Sequence, residues 1–505
     1  MRLIFPLIAI LAAAALAACS VVLGPLNHDE GWYLLAGINS AGGMMPYRDY
    51  LFTQGPVMAA VYAAFSFLWA PFGVLGGRVF TLTLAAASLA LWCSAAKRLA
   101  GRDAAILTFL LLALNPVYSY FTVIPKTYAL SGLFIAAAFR ALVSERRFRI
   151  EGAAVALALA AGTRLSLGIL LAVVGLWLLC KKGPWLRFGI AGIIALAVIY
   201  APFFLICPEQ FIYSQTYHTA RDGGGLFSWI VLRGGFVSRL LQGYFTIPVV
   251  LAAGLLVGRG KICVNPFIIA VSFFAVSALH FLTPFPYDDY QTPVMPLAAV
   301  FAAAFAARRI GTEKGEGPGK DAGKIITRSV LVLSLCFLIS SPMLMNWMTV
   351  RQDRFWFEMK QKPDLLVLRE TAASLRDAAD GDAAVLLTQD AYLAVEARMS
   401  VPRGLEMGPF SLFPDLSDED ARKFNVHNLN TLRETIETTD AQFAALSGYA
   451  FAIACPSTSM TDPAQTAPLF AAISNRYDRI ASVADFGQCH TTLTVWEKAS
   501  QSQTE

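Results

Sequence analysis

The chain has 505 residues, 56% of them apolar and only 15% charged, with a mean hydropathy of +0.55. Soluble globular proteins carry about 25% charged residues, so a single soluble domain, a disordered chain and a nucleic-acid-binding protein are all poor readings. The net charge of +5 hides an uneven distribution: residues 1–347 hold 26 Lys/Arg against 13 Asp/Glu, whereas residues 348–505 hold 14 against 22. The sequence therefore reads as two bodies, a basic multi-span membrane domain over 1–347 and an acidic, ordinarily polar domain over 348–505. Basic character in a membrane body reports topology, because cytoplasmic loops collect Lys and Arg, and no nucleic-acid partner follows from it.

In chain order, Met1-Arg2 and the apolar run to Leu23 read as an uncleaved first span, about 20 apolar residues being what a crossing needs. The alternative is a signal peptide whose Leu16-Ala17-Ala18-Cys19 matches a lipoprotein box. Further apolar stretches lie near 56–72, 79–96, 104–121, 127–143, 152–163, 166–180, 188–206, 241–258, 264–282, 291–307 and 329–347. If all of them cross with Arg2 inside, Lys97, Arg98 and Arg102 fall outside. So do Arg140 to Arg149, Lys181-Lys182, Arg259 to Lys261 and Arg308 to Arg328, against the positive-inside rule. Removing 56–72 returns every later cluster to the cytoplasm, with 19 Lys/Arg inside and seven at the outer side; removing a later, weaker segment repairs fewer loops.

The removed segment is bracketed by Pro56 and Pro71 and carries Tyr62, Phe65, Phe67 and Trp69, which suits a helix lying in the interface. The expected fold is thus a polytopic α-helical membrane protein of about 11 spans. Its N-terminus is cytoplasmic, and a small extracytoplasmic α/β domain follows at the C-terminus. The segment 152–163 has only 12 residues, about 18 Å of helix, too short for a ~30 Å core. Arg164 at its tip points to a cavity entered from the outer face.

With this topology the outer loops are 24–78, 122–126, 207–240 and 283–290. The first opens with Asn27-His28-Asp29-Glu30-Gly31-Trp32-Tyr33, directly after the first span. Adjacent carboxylates at the mouth of an apolar helix are costly to desolvate, so they sit in water or face a polar cavity; the plainer reading is a helix start with Asp29 as N-cap. Gly42-Gly43, Pro46-Tyr47-Arg48-Asp49 and Gln54-Gly55-Pro56 follow. In 208–233, the run Gly223-Gly224-Gly225 permits a hinge for a lid.

This succession, with Arg78 opening the next span, resembles the glycosyltransferase C superfamily. Within it the chain is most similar to the protein O-mannosyltransferase and lipid A aminoarabinose transferase branch, which uses polyprenyl-phosphate-linked sugars. The superfamily's in-plane helices in the first outer loop match 56–72. The resemblance covers roughly 1–310, is strongest over 27–56, and continues at Ala161-Gly162-Thr163-Arg164 and from Tyr287-Asp288-Asp289-Tyr290-Gln291-Thr292-Pro293 to Pro296. One departure stands out: relatives usually carry a second acidic residue in the second outer loop, where this chain reads Ile124-Pro125-Lys126-Thr127-Tyr128.

The resemblance implies transfer of a sugar from a polyprenyl-phosphate donor to an acceptor protein, lipid or glycan at the outer face of the cytoplasmic membrane, with inversion. It places the general base at Asp29 with Glu30 as neighbour, and two carboxylates so close would raise one pKa. Arginine's planar fork suits a phosphate, so Arg164 is the leading donor-phosphate ligand, with Arg78, Lys126 and Arg233 as partners. Tyr33, Tyr47, Arg48, Asp49, His218, Asp289, Tyr290 and Gln291 are expected at the substrate. His28, Asp29, Glu30, Asp288 and Asp289 form an oxygen-rich set that would suit magnesium or manganese. Two other functions would use outward cations: a flippase or transporter of lipid-linked saccharides, for which no internal repeat is visible, and a polymerase or ligase using diphosphate-linked donors.

The tail reads as helices at 365–378, 427–438 and 466–475 and strands at 383–388, 449–455, 479–486 and 491–496. It has no phosphate loop, GxGxxG or nucleophile elbow, so shielding the site or contacting the acceptor is its expected role. Its two cysteines, Cys455 and Cys489, could pair in an oxidising compartment. The segment 308–328 reads as a flexible cytoplasmic connection.

Overall fold

The structure, a computed structural model, describes residues 4–217, 221, 224–257, 267–311, 319–339, 362–379 and 384–499. Its first part is a succession of helices set by the apolar runs. These are α1 (Ile4–Val22), α2 (His28–Ala41), α3 (Pro56–Ala64), α4 (Ser66–Trp69), α5 (Gly73–Ala113), α6 (Pro116–Val123), α7 (Thr127–Leu142), α8 (Arg149–Thr163) and α9 (Ile169–Cys180). There follow α10 (Trp185–Ile206), α11 (Pro208–Thr216), α12 (Leu226–Gly243), α13 (Thr246–Val257), α14 (Phe267–Leu282), α15 (Met295–Gly311) and α16 (Gly319–Ile339).

Local chemistry sets where these helices stop. Non-helical backbone at Ala100 and Gly101 divides α5 in two, and Gly101 has φ +84°, a left-handed conformation that glycine tolerates without a steric penalty. The expected span 104–121 breaks at Asn115-Pro116, where the Asn115 side chain accepts from the Tyr118 amide and Pro116 occupies the first helical position. The segment expected in the interface, 56–72, is three short pieces, α3, α4 and a 3-10 turn at Ala70–Phe72. The nine residues of α3 extend about 14 Å, which does not cross a bilayer core. The expected loop 207–240 is instead largely helical, as α11 and α12, because its apolar residues from Leu226 onward keep a helical period. His218 and Gly223 lie outside the described residues, as do 312–318 of the expected connection 308–328, whose two ends are helical.

By length and composition, three helical runs among the described residues are long and apolar enough to cross a membrane: Ile4–Val22, Ser66–Ala113 and Trp185–Ile206. The number is five if each of two bent pairs is one span, Pro116–Val123 with Thr127–Leu142 (105°) and Leu226–Gly243 with Thr246–Leu256 (69°). The larger number drawn from charge includes shorter helices such as α8, α14 and α15.

The chain divides into two compact units, one of residues 1–21, 81–199 and 223–358, the other of 22–80, 200–222 and 359–505. The second unit therefore takes in two segments from before the composition boundary at 347. In the first unit, one apolar cluster gathers Leu111, Tyr118, Tyr244, Val250 and Ala299, and another gathers Trp92, Phe139, Leu157, Leu170 and Val300. Small residues let the backbones close up: a β-carbon at Gly254 of α13 would lie 3.0 Å from the Cα of Ala306 on α15.

In the second unit, the tail forms α17 (Asp364–Ala378), β1 (Leu386–Leu387), α18 (Ala391–Ala397), α19 (Asp418–Lys423), α20 (Leu429–Thr438) and β2 (Phe443–Leu446). These are followed by β3 (Ile453–Ala454), β4 (Ser459–Met460), α21 (Pro463–Arg476), β5 (Tyr477–Phe486) and β6 (Thr491–Lys498). The sheet order is β1-β2-β6-β5, with β1 parallel to β2 and the other pairs antiparallel. The expected helices and the two last strands are present, but the buried inner strand of the sheet is Phe443–Leu446, and of the expected 449–455 only Ile453–Ala454 is a strand, paired with Ser459–Met460. The rest of 449–455 is apolar because turns bury it: Ala450 and Phe451 are buried, and Phe451 has φ +59°. Cys455 and Cys489 are both free, so the expected pairing is corrected: the Cys455 thiol meets the Tyr217 hydroxyl (3.3 Å) and Cys489 meets His28 (3.6 Å).

Candidate functional site

The acidic motif starts α2. Asn27 is its N-cap, in place of the expected Asp29: the Asn27 side chain accepts from the Asp29 amide (3.1 Å), and the Glu30 carboxylate accepts from the Asn27 amide (3.0 Å). This reciprocal box satisfies two first-turn donors. Asp29 stands at the second helical position, where the helix dipole favours a carboxylate; it is half-buried and its Oδ1 accepts from Trp32 Nε1 (3.0 Å).

Glu30 turns the other way. Its two oxygens accept from Nε and Nη2 of Arg78, each at 2.7 Å, and both side chains are fully buried. Arg78 also donates to the carbonyls of Gly24 and Pro25, 3.0 Å each. The guanidinium fork thus ties loop 24–30 to the start of α5, a strong bidentate geometry. Glu30 and Arg78 neutralise each other, and the adjacent carboxylates of Asp29 and Glu30 accept from different partners.

His28 is buried, its ring stacked on Tyr449 (5.2 Å) and Tyr392 (6.1 Å), and its amide donates to Gln488 Oε1 at 2.6 Å. Burial lowers its pKa, against the opposing pull of Asp390 and Asp29. Asp390 is itself buried, which pushes its carboxyl upward, and accepts from the Tyr392 hydroxyl (2.8 Å) and the Ser447 amide (3.3 Å).

The aromatic residues expected at the substrate are packed inward. Tyr33 stacks on Trp32 (3.7 Å) and meets Phe52 edge-on, while Tyr47, at φ +70°, lies between Phe203 and Phe211 (5.0 Å each) and donates to the Gln54 carbonyl (2.6 Å). Arg48 is exposed and pairs with Asp49 (2.7 Å), an interaction that holds the Asp49 carboxyl below its ordinary range. Asn425 of the tail donates to the carbonyls of Tyr47 (3.3 Å) and Arg48 (3.1 Å). This turn belongs to the scaffold as much as to any surface.

In the first unit, Arg164 caps the C-terminus of α8, buried, with its guanidinium 4.1 Å from the Tyr290 ring and 5.5 Å from Tyr128. Lys126 pairs with Asp289 (2.9 Å), whose same oxygen accepts from the Tyr128 hydroxyl (2.8 Å). Loop 283–290 thus brings a carboxylate to Lys126. Gln291 is buried, accepting from Ser277 (3.0 Å) and lying 3.2 Å from His280 Nδ1; the other ring nitrogen of His280 is 3.1 Å from Ser166. Arg233 stacks on Trp229 (4.6 Å) and donates to the Thr283 carbonyl (2.6 Å), bracing the same loop. Two cations and two tyrosines therefore gather with Asp289 around α7 and the C-terminal end of α8.

The set expected for a divalent cation is divided between the two units. His28, Asp29 and Glu30 belong to one unit and Asp288 and Asp289 to the other; Glu30, Asp289 and Asp288 are engaged by Arg78, Lys126 and Arg239 (2.9 Å) respectively. Among the described residues no group of three or more His, Cys, Asp and Glu could hold a metal ion. Sequence reasoning missed His280, although it is the single ionisable group in α14, and missed Gln488, Asp390, Tyr392 and Tyr449, for which no local signal exists.

At the level of sequence, no protein-family model and no curated protein matches the chain. Its fold recurs among solved structures. Among solved structures it is similar to ArnT from Cupriavidus metallidurans bound to undecaprenyl phosphate, with a TM-score of 0.63 at 13% identity over 97% of both chains. The apo state of that protein is matched at 0.60 and 12%, also over 97% of both.

Proposed function

We propose that the chain transfers a sugar from a polyprenyl-phosphate-linked donor to an acceptor hydroxyl at the outer face of the cytoplasmic membrane, with inversion. The observation that carries this reading is the fold it shares, end to end, with a protein captured on undecaprenyl phosphate. The acceptor oxygen attacks the anomeric carbon while the bond to the phosphate oxygen breaks. Asp29, half-exposed at the start of α2, takes the acceptor proton. Arg164 and Lys126 hold the phosphate, with Tyr290 and Asp289 setting their directions. The departing polyprenyl phosphate already carries its charge and needs no proton, so one base and these cations suffice. The bilayer holds the lipid, and no step is routed through a metal.

The test is transfer by the full-length chain in lipid nanodiscs from polyprenyl-phosphate sugars, combined with mass spectrometry of surface glycans with and without the gene. Loss of one sugar from one class of acceptor is the expected result. An unchanged glycan profile together with no transfer from any such donor would overturn the assignment.

A further inference from the structure

A helix begins with amides that have no partner inside the helix. In α2 the amides of residues 29 and 30 turn back on Asn27, whereas that of His28, at the first helical position, donates to the side chain of Gln488 at 2.6 Å. Gln488 lies 460 residues away, on the turn joining β5 to β6.

That turn is held against the same place by its other residues. Gly487 has φ +73°, and a β-carbon there would overlap the Tyr392 hydroxyl; Tyr392 in turn stacks on the His28 ring, and Cys489 contacts His28 Nε2. A β-carbon at Gly31 would overlap the backbone of Ala391 and Tyr392, so α2 and α18 approach at van der Waals limits one turn further on. The first turn of α2 is therefore fixed from the tail on three sides: at the amide of residue 28, at its ring, and at Gly31.

Asp29 sits between these contacts. It accepts from the indole of Trp32, inside the same helix, so its carboxylate is carried on the helical turn that these contacts hold.

We propose that Gln488 is a positioning residue for Asp29: by accepting the amide of His28 it holds the first turn of α2, and with it the carboxylate, in the orientation that receives the acceptor proton. The proposal rests on the reading of Asp29 as base. It gives the tail a part in the chemistry without contributing a reacting group.

The test uses the full-length chain in nanodiscs with a polyprenyl-phosphate sugar donor, and the variants Gln488→Ala, Gln488→Glu, Asp29→Asn and Gln488→Ala with Asp29→Asn. Gln488→Ala is expected to lower kcat by about 10- to 100-fold, the scale of a misplacement near 1 Å, with the donor KM unchanged. Gln488→Glu, which keeps an acceptor oxygen, restores kcat. In the Asp29→Asn background, Gln488→Ala costs nothing further. Amide exchange over residues 28–31, read by mass spectrometry, rises in Gln488→Ala and not in Gln488→Glu. Wild-type kcat in Gln488→Ala beside an inactive Asp29→Asn overturns the proposal alone, as does a loss that adds in full to that of Asp29→Asn. Full turnover by Asp29→Asn overturns the reading of Asp29 and the proposal with it.

Discussion

The Arg78 guanidinium holds both oxygens of Glu30 at 2.7 Å across 48 residues of sequence, with neither side chain reaching solvent. Removing one partner strands a buried charge, which costs about 3–5 kcal/mol, whereas replacing both by apolar residues costs far less. Glu30→Leu and Arg78→Met are each expected to lower the melting temperature sharply, and the double variant to recover much of the loss. Single variants that melt with the wild type would show that the pair is not structural.

Asp29, one residue before Glu30, is expected to behave in the opposite way. It is half-exposed at a helix start, so Asp29→Asn removes only a favourable dipole contact of about 0.3–1 kcal/mol. Turnover should fall by about 10²- to 10⁴-fold, the usual worth of a positioned base, while binding of the donor persists. Product formation at the wild-type rate would remove it as the base.

The stack of Arg164 on Tyr290 is testable through the donor. A cation over a ring is worth about 0.5–2 kcal/mol, so Tyr290→Leu should raise the donor KM by roughly 2- to 30-fold. Arg164→Lys should do at least as much, because an ammonium lacks both the planar stack and the two-point fork. A KM that is unmoved in both variants would place the phosphate elsewhere.

Two buried groups in the tail oppose one another in their pH dependence. Burial pushes the Glu406 carboxyl up to about 7 from an ordinary 4.5, and pushes the His427 imidazole down to about 4 from 6.5. Raising pH from 4.5 to 7 ionises the glutamate only in the unfolded chain, so stability falls across that window. Lowering pH from 6.5 to 4 protonates the histidine only in the unfolded chain, so stability falls in that direction instead. Between pH 4.5 and 6.5 the two slopes, each up to about 1.4 kcal/mol per pH unit, nearly cancel. Glu406→Gln should make the stability of the tail rise with pH across that window, and His427→Gln should make it fall, as followed by protease protection during thermal unfolding. The same flat profile in both variants would refute this assignment.

Cys455 and Cys489 are free, one against Tyr217 and the other exposed beside His28. Alkylation of the unreduced folded protein should label Cys489 and spare Cys455, and reduction should not change the melting temperature. A two-hydrogen mass deficit in peptides that join the two cysteines would contradict both expectations.

Local periodicity made much of the architecture legible. Runs of apolar residues located the helices, and Asn27 to Glu30 marked the start of one of them. The apolar segment 152–163 marked a short helix, found over Arg149–Thr163 and capped by a buried Arg164. The inner strand of the tail escaped notice because Phe443-Ala444-Ala445-Leu446 is short and built of small residues, while a buried turn nearby looked more apolar.

The amino-acid order by itself determined the apolar helices, the acid-bearing first turn of α2 and the helix-and-strand tail, since each depends on residues within a few turns of one another. Only the tertiary structure decided which charge meets which. Glu30 went to Arg78 and not to Asp29, Lys126 to Asp289 across 163 residues, and the amide of His28 to Gln488 across 460. A hydrophobic period is a property of one segment, whereas the partner of a buried charge or amide depends on which distant segment shields it from water and completes its hydrogen bonds.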